Sequence, residues 1–368
     1  MARSADPPAD PGGPAPPPRA NPDFLGHDNA ERELRQLVET GRLPHAILLT
    51  GPRGIGKATL AFRLARFLLA RSGADAFRNG PPTGLAVDTE SSVFHRVSAG
   101  GHADLLTVER AYDPRRRRLR NEIIVQDTRE IASFLRLTAA EEGWRIVIVD
   151  GAEEMNRNAA NAVLKILEEP PRQALLLLVS HSPGRLLPTI RSRCRRLPLA
   201  PLGRPLVLQL LFRYCPTLDR REGETIATLA EGSIGRALEL ADADGLELYG
   251  TILRLLSGIP QIDTAGLYAF AEQLSRADSE EIFRVSEELL SQFLARMIAY
   301  SARSQPAGDD LIAEEVGIMN GLAARADPAR WAALRTQIDQ DFANTDLLNL
   351  DRKQAILGAF FAIEHLAG

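Results

Sequence analysis

The sequence predicts an α/β fold: a parallel sheet with helices on both faces, followed by a region built of helices alone. Three observations predict it. Short apolar runs of strand length alternate with longer stretches of helical periodicity between residues 23 and 200. The first run, Ala46-Ile47-Leu48-Leu49-Thr50, is bounded by turn formers, as a strand buried on both faces would be. After Pro201 no strand pattern recurs.

Taken in order, residues 1–22 are dominated by Pro, Ala, Gly and Asp. They cannot bury enough apolar surface to offset their ordering entropy, so a disordered tail is expected. An amphipathic segment around Glu31–Thr40 leads into the first strand. A glycine loop follows, then a helix from Lys57 to about Arg71. Residues 72–103, punctuated by Gly80-Pro81-Pro82 and Gly100-Gly101, read mostly as loop. Asp104–Val108 is a second strand. The helix expected near Asp127–Ala140 carries Ile131, Phe134, Leu135 and Thr138 on one face, with Asp127 placed to cap it. Arg145–Asp150 is a third strand. Residues 157–168 form a helix that Pro170-Pro171 stops. Ala174–Ser180 and Arg195–Leu199 complete the strands. Residues 201–243 read as short helices and 244–368 as longer ones, with Ile282, Leu289, Phe293 and Met297 at helical spacing in 279–300. Trp331, Phe342, Phe360 and Phe361 are expected in the core of that last region.

Composition narrows the function classes. The chain has 368 residues, 45% hydrophobic and 25% charged, enough for two or three domains. A formal net charge of −4 gives no global attraction to nucleic acid, so any such contact must be local. No apolar run approaches membrane-helix length, which predicts no membrane partner, and the N-terminus lacks the apolar core of a signal peptide. Cys194 and Cys215 are the only cysteines, too few for a disulfide framework or a four-cysteine zinc site. A reducing cytoplasm is the expected home, and no metal or zinc is expected.

Gly51-Pro52-Arg53-Gly54-Ile55-Gly56-Lys57 follows a strand and opens a helix, the context a phosphate-binding loop requires. Gly51, Gly54 and Gly56 let successive N–H groups turn toward phosphate oxygens, and Lys57 reaches the outer phosphates. The next position should carry a hydroxyl for Mg²⁺, and it is Ala58. Thr59 belongs to the same candidate nucleotide site but is rotated by about 100° along the helix. Asp150 ends the third strand as the first acid of an acidic pair. The second, which would activate water, is replaced by Gly151, and Glu153 and Glu154 should face elsewhere unless a local shift brings Glu153 into the base's place. Both losses strike hydrolysis and leave the phosphate cradle. Weak ATP or ADP binding is the expectation, with no certain cofactor.

The segment from Asp150 to Pro171, including Asn161-Ala-Val-Leu-Lys-Ile-Leu-Glu-Glu-Pro-Pro171, resembles the clamp-loader family of AAA+ proteins. So does Leu186-Leu-Pro-Thr-Ile-Arg-Ser-Arg-Cys194, and Gly232-Ser-Ile-Gly-Arg236 is similar to that family's second sensor. The motifs stand in the family's order across most of residues 40–240. The resemblance implies an AAA+ domain over 23–200, a small helical lid over 201–243 and an all-α collar for oligomerisation over 244–368. It implies that Arg193 reaches into a neighbour's ATP site, that the segment around His181 senses nucleotide, and that Arg236 does so from the lid. Its implied partners are the loader's motor subunits and delta subunit, the sliding clamp through the complex, and primer–template DNA. Ala58 and Gly151 point to a non-motor member. The alternative is an active AAA+ ATPase, either a divergent motor subunit or another DNA-remodelling enzyme. Arg115, Arg116, Arg117 and Arg118 form the densest basic run, fitting either DNA phosphates or a solvated loop. Cys194, with no activating pattern around it, is expected to pack rather than react.

Overall fold

The structure, a computed structural model, describes residues 15–71, 84–113, 118–137, 139–140, 143–276, 279–302, 312–348 and 350–368. These residues fall into two compact units. One runs to Val207 and takes in Gly232–Gly235; the other comprises Leu208–Glu231 and Arg236–Gly368.

The first unit is built on a five-stranded sheet. Its strands are β1 (Ala46–Thr50), β2 (Leu105–Val108), β3 (Arg145–Asp150), β4 (Ala174–Ser180) and β5 (Arg195–Pro198). They lie in the order β2-β3-β4-β1-β5, every pair parallel. Leu48 sits opposite Leu178, and Val149 opposite the same residue from the other side. The period-two alternation of strand side chains divides the core. Ile47, Leu49, Ile146, Ile148, Leu175 and Leu177 pack beneath α1 (Asp28–Glu39), α2 (Lys57–Ala70) and α3 (Ser92–Ser98). Leu48, Val147, Val149, Leu176 and Leu178 pack beneath α4 (Val125–Arg136) and α5 (Arg157–Glu168). Both faces are covered, which is why the strands read as continuous apolar runs.

Four local readings change. Residues 19–22, assigned to the tail by composition, lie against α2. Arg66 donates to the carbonyls of Arg19 at 2.9 Å and Asn21 at 2.8 Å, and Arg63 to that of Pro22 at 2.9 Å. A buried guanidinium needs acceptors, and backbone carbonyls serve whatever the side chains are. Ser92–Ser98 is a helix inside the stretch read as loop, its N-terminus capped by Ser91 Oγ accepting from the Phe94 N–H at 3.2 Å. Asp127 is the third residue of α4 rather than its cap, and it reaches back to the Ile124 N–H at 2.9 Å. The helix ends at Arg136; Thr138 lies outside the described residues.

After the short α6 (Pro188–Arg191) of the first unit, α7 (Arg204–Tyr214) begins in the first unit, and its residues from Leu208 belong to the second, which also contains α8 (Arg220–Leu229), α9 (Ile234–Asp242, from Arg236), α10 (Gly245–Ser257), α11 (Thr264–Leu274), α12 (Glu280–Ala302), α13 (Ala313–Ala323), α14 (Pro328–Leu348) and α15 (Arg352–Ala367). Trp331, Phe342 and Phe360 are in its core, with Phe342 edge-on to Phe283 at 6.1 Å. Phe361, expected there too, is 38% exposed, because it follows Phe360 by about 100° around the helix. Among the described residues, no helix is long and apolar enough to cross a membrane.

Candidate functional site

The site lies at the carboxyl ends of β1, β3 and β4. The chain leaves β1 into the glycine loop, where Gly51, Gly54 and Gly56 have φ of 146°, 74° and 98°. A side chain at Gly51 would put its Cβ 2.3 Å from the Leu199 carbonyl oxygen, so the first glycine answers to packing as well as to φ. Gly56 is the N-cap of α2 and no side chain caps that helix. Its first-turn N–H groups therefore keep their capacity for an anion. His27 Nε2 meets the Ile55 carbonyl at 2.8 Å, and Phe24 lies 3.6 Å from where a Cβ on Gly56 would be. The segment before α1 thus braces the loop, a role that no sequence signal revealed.

Lys57 is buried, and its Nζ donates to the carbonyls of Gly51, at 2.8 Å, and of Pro52. Burial lowers its pKa to about 8, against the opposing charges of Asp150 and Glu153. Asp150 is raised above the usual carboxylate range by burial, with Lys57 pulling the other way. The cradle fits a phosphate group: two of its glycines are left-handed, its helix end is uncapped and its lysine is in place. It does not fit the metal that hydrolysis uses, since Ala58 offers no oxygen and Thr59 is buried within α2.

Gly151 has φ 74° and starts a short 3-10 turn, Ala152–Glu154. A Cβ there would stand 2.5 Å from Glu154 Oε2. The position that would carry the water-activating carboxylate is thus shaped for glycine. The turn also redirects the two glutamates. Glu154 pairs with Arg110 at 2.9 Å. Glu153, expected to face elsewhere, turns inward: its Oε1 accepts the His181 N–H at 2.8 Å and the Ser182 N–H at 2.9 Å. Burial would raise the Glu153 carboxyl, but these bonds and His181 hold it below its ordinary value. Burial lowers the His181 imidazole, whose Nε2 lies 3.4 Å from Glu153 Oε1. Oε1 is thus committed to two backbone donors.

Arg193 follows the short helix α6 (Pro188–Arg191). Its Nη2 is 3.0 Å from Glu168 Oε1, and Nη1 donates to the Thr189 carbonyl at 3.1 Å. Arg195 pairs with Glu33 at 2.7 Å, and Arg196 donates to Thr50 Oγ1 at 3.2 Å. Burial pushes the Cys194 thiol up to about 12, which fits packing rather than chemistry. Arg236 belongs to the second unit and is largely buried there, 3.8 Å from Glu288 of α12. Arg115, Arg116 and Arg117 lie outside the described residues; Arg118 begins a two-residue strand, Arg118–Leu119, antiparallel to Tyr112–Asp113.

Residues 26–203 match the family model described as DNA polymerase III, delta subunit. The chain is 30% identical over 253 residues to DNA polymerase III subunit delta' of Escherichia coli, covering 68% of this chain and 69% of that protein. The chain belongs to the DNA polymerase III delta-prime family. A delta-prime protein of Pseudomonas aeruginosa is 39% identical over 200 residues, 54% of this chain and 56% of that one. The tau subunit of Escherichia coli is 26% identical over 313 residues, 83% of this chain and 44% of that one. The chain thus spans about half the length of several curated relatives it matches.

Proposed function

We propose that this chain is the non-motor delta-prime subunit of a DNA polymerase III clamp loader, helping to place a sliding clamp on primed DNA without hydrolysing ATP itself. One observation carries the reading: the site keeps its phosphate cradle while Ala58 and a left-handed Gly151 occupy the positions of the metal hydroxyl and the catalytic carboxylate. ATP or ADP held there would be bound and not turned over. Its partners are the motor subunits and delta, with the clamp and primer–template DNA met through the complex. The helices of residues 244–368 serve as the collar, and residues 201–243 as the lid. Arg236 belongs to the sensing element and the Arg115–Arg118 run to DNA contact. Arg193 acts in trans: its guanidinium stabilises charge on the γ-phosphate in the neighbouring motor's site, an effect worth about 10³-fold or more where it operates. An arginine half exposed beside a chain reversal supports this role, since its present partner, Glu168, is itself exposed.

The test is ATP turnover by the isolated chain and by the complex reconstituted with motor and delta subunits, clamp and primed DNA. Stimulation only in the complex, lost with Arg193→Ala, is expected. Turnover by the isolated chain that Lys57→Ala abolishes would make it an active ATPase instead.

A further inference from the structure

We infer that Glu153 is a positioning residue for Arg193, clamping the start of a stack of turns that ends at the arginine. The inference rests on the reading of Arg193 as a group acting in trans. Its basis is a gap in the apolar anchoring over residues 181–185, ahead of the core residues Leu186 and Ile190. Strand β4 ends at the buried Ser180, and the next buried side chain is Leu186. Between them, His181, Ser182, Pro183, Gly184 and Arg185 are exposed or half-buried, so no core contact fixes the path. What does fix it is one carboxylate, only 2% exposed, accepting the His181 and Ser182 N–H groups together.

From that clamp the chain runs through two hydrogen-bonded turns, over 182–186 and 187–193, which meet at the buried Leu186. The Arg185 N–H donates to the Ser182 carbonyl at 2.9 Å, and the Leu186 N–H to that of Pro183 at 3.3 Å. The Ile190 N–H donates to Leu187 at 3.0 Å, and the Arg193 N–H to Ile190 at 3.1 Å. Ile190, fully buried under α5, pins the far end. A path held at both ends sets the arginine to within the fraction of an ångström that transition-state stabilisation needs. Burying a carboxylate costs free energy unless its hydrogen bonds are made, and charged acceptors bind N–H groups about twice as strongly as neutral ones. Oε1 makes both of these bonds, while Oε2 is buried without a hydrogen-bond partner among the described residues.

The experiment uses the full chain reconstituted with motor and delta subunits, and reads clamp- and DNA-stimulated ATP turnover. Glu153→Ala should lower kcat roughly tenfold, leaving KM for ATP and assembly unchanged. Glu153→Gln, whose amide oxygen can still accept both N–H groups, should recover most of the loss. The double variant with Arg193→Ala should be no slower than Arg193→Ala alone, because Glu153 acts through the arginine. If Glu153→Ala does not fold, Glu153→Met keeps the length without an acceptor and carries the same expectation. Amide exchange of the isolated full chain is the second readout: residues 181–193 should exchange faster in Glu153→Ala and not in Glu153→Gln. Losses that multiply in the double variant, or wild-type exchange over 181–193 in Glu153→Ala, overturn the inference alone. Wild-type turnover by Arg193→Ala overturns the trans-acting reading and this inference with it.

Discussion

Arg193 Nη2 lies 3.0 Å from Glu168 Oε1, the two side chains 38% and 46% exposed. An ion pair in that setting contributes about 0–1 kcal/mol, little enough to be exchanged for a phosphate oxygen. Glu168 belongs to the last turn of α5, and on the proposed trans-acting role this weak pair is the one the guanidinium would give up.

Arg193→Ala should therefore leave the melting temperature within about a degree or two, as surface substitutions do. Turnover by the assembled loader should fall by about tenfold or more, and Arg193→Lys should recover little, because an ammonium lacks the planar fork. Arg191→Ala and Arg195→Ala are the controls, Arg195 being engaged with Glu33. Equal effects from all three would mean that general charge, and not this arginine, matters.

Hydrolysis should not return on restoring the missing groups singly. Ala58→Thr supplies a metal hydroxyl but no base. Gly151→Glu places a side chain on a residue of φ 74°, with its Cβ 2.5 Å from Glu154 Oε2. The left-handed conformation alone costs about 1–2 kcal/mol for a non-glycine residue. Urea unfolding should show that loss, and turnover by the isolated variants should stay at background.

The buried lysine predicts a pH dependence. Its pKa is about 8 in the folded chain against the ordinary 10.5. Between those values the unfolded state binds more protons at this group, so its contribution raises stability as pH rises through that window. Lys57→Met should flatten the rise, measured as unfolding free energy between pH 8 and 10.5. An unchanged slope would place the ammonium in water.

In the helical unit, Arg296 bonds Glu315 Oε1 at 2.7 Å and the Tyr249 hydroxyl at 2.9 Å, and Glu315 is fully buried. Arg296→Ala strands that carboxylate and should cost about 3–5 kcal/mol. Tyr249→Phe, removing a hydroxyl that donates to Glu315 and accepts from Arg296, should cost about 1.5–3 kcal/mol. Chemical denaturation separates the two; equal small losses would show that the cluster is hydrated.

Truncation distinguishes two parts of the N-terminus. Removing residues 1–14 should leave the melting temperature unchanged, since their composition offers no core. Removing residues 1–22 takes away three carbonyl acceptors from Arg63 and Arg66 and should lower it by a few degrees.

Local pattern alone determined the strands, the glycine loop, and that Ala58 and Gly151 stand where a hydroxyl and a second acid would be expected. Each rests on near neighbours in the chain: an apolar run flanked by turn formers, a glycine spacing, a methyl at residue 58 where a hydroxyl belongs. Only the tertiary structure decided which way Glu153 faces, because the 3-10 turn after the left-handed Gly151 rotates it inward, and its partners are 28 and 29 residues away. The same holds for residues 19–22, whose acceptors serve arginines more than 40 residues on. Backbone carbonyls carry no side-chain signature, so a segment held by them looks unstructured to composition. The pairing of Arg236 with Glu288 was equally invisible, since it depends on α9 packing beside α12 and on no spacing in the chain. Periodicity reports which face is apolar, whereas the direction of a polar side chain is set by whichever charge or N–H group folding brings within reach.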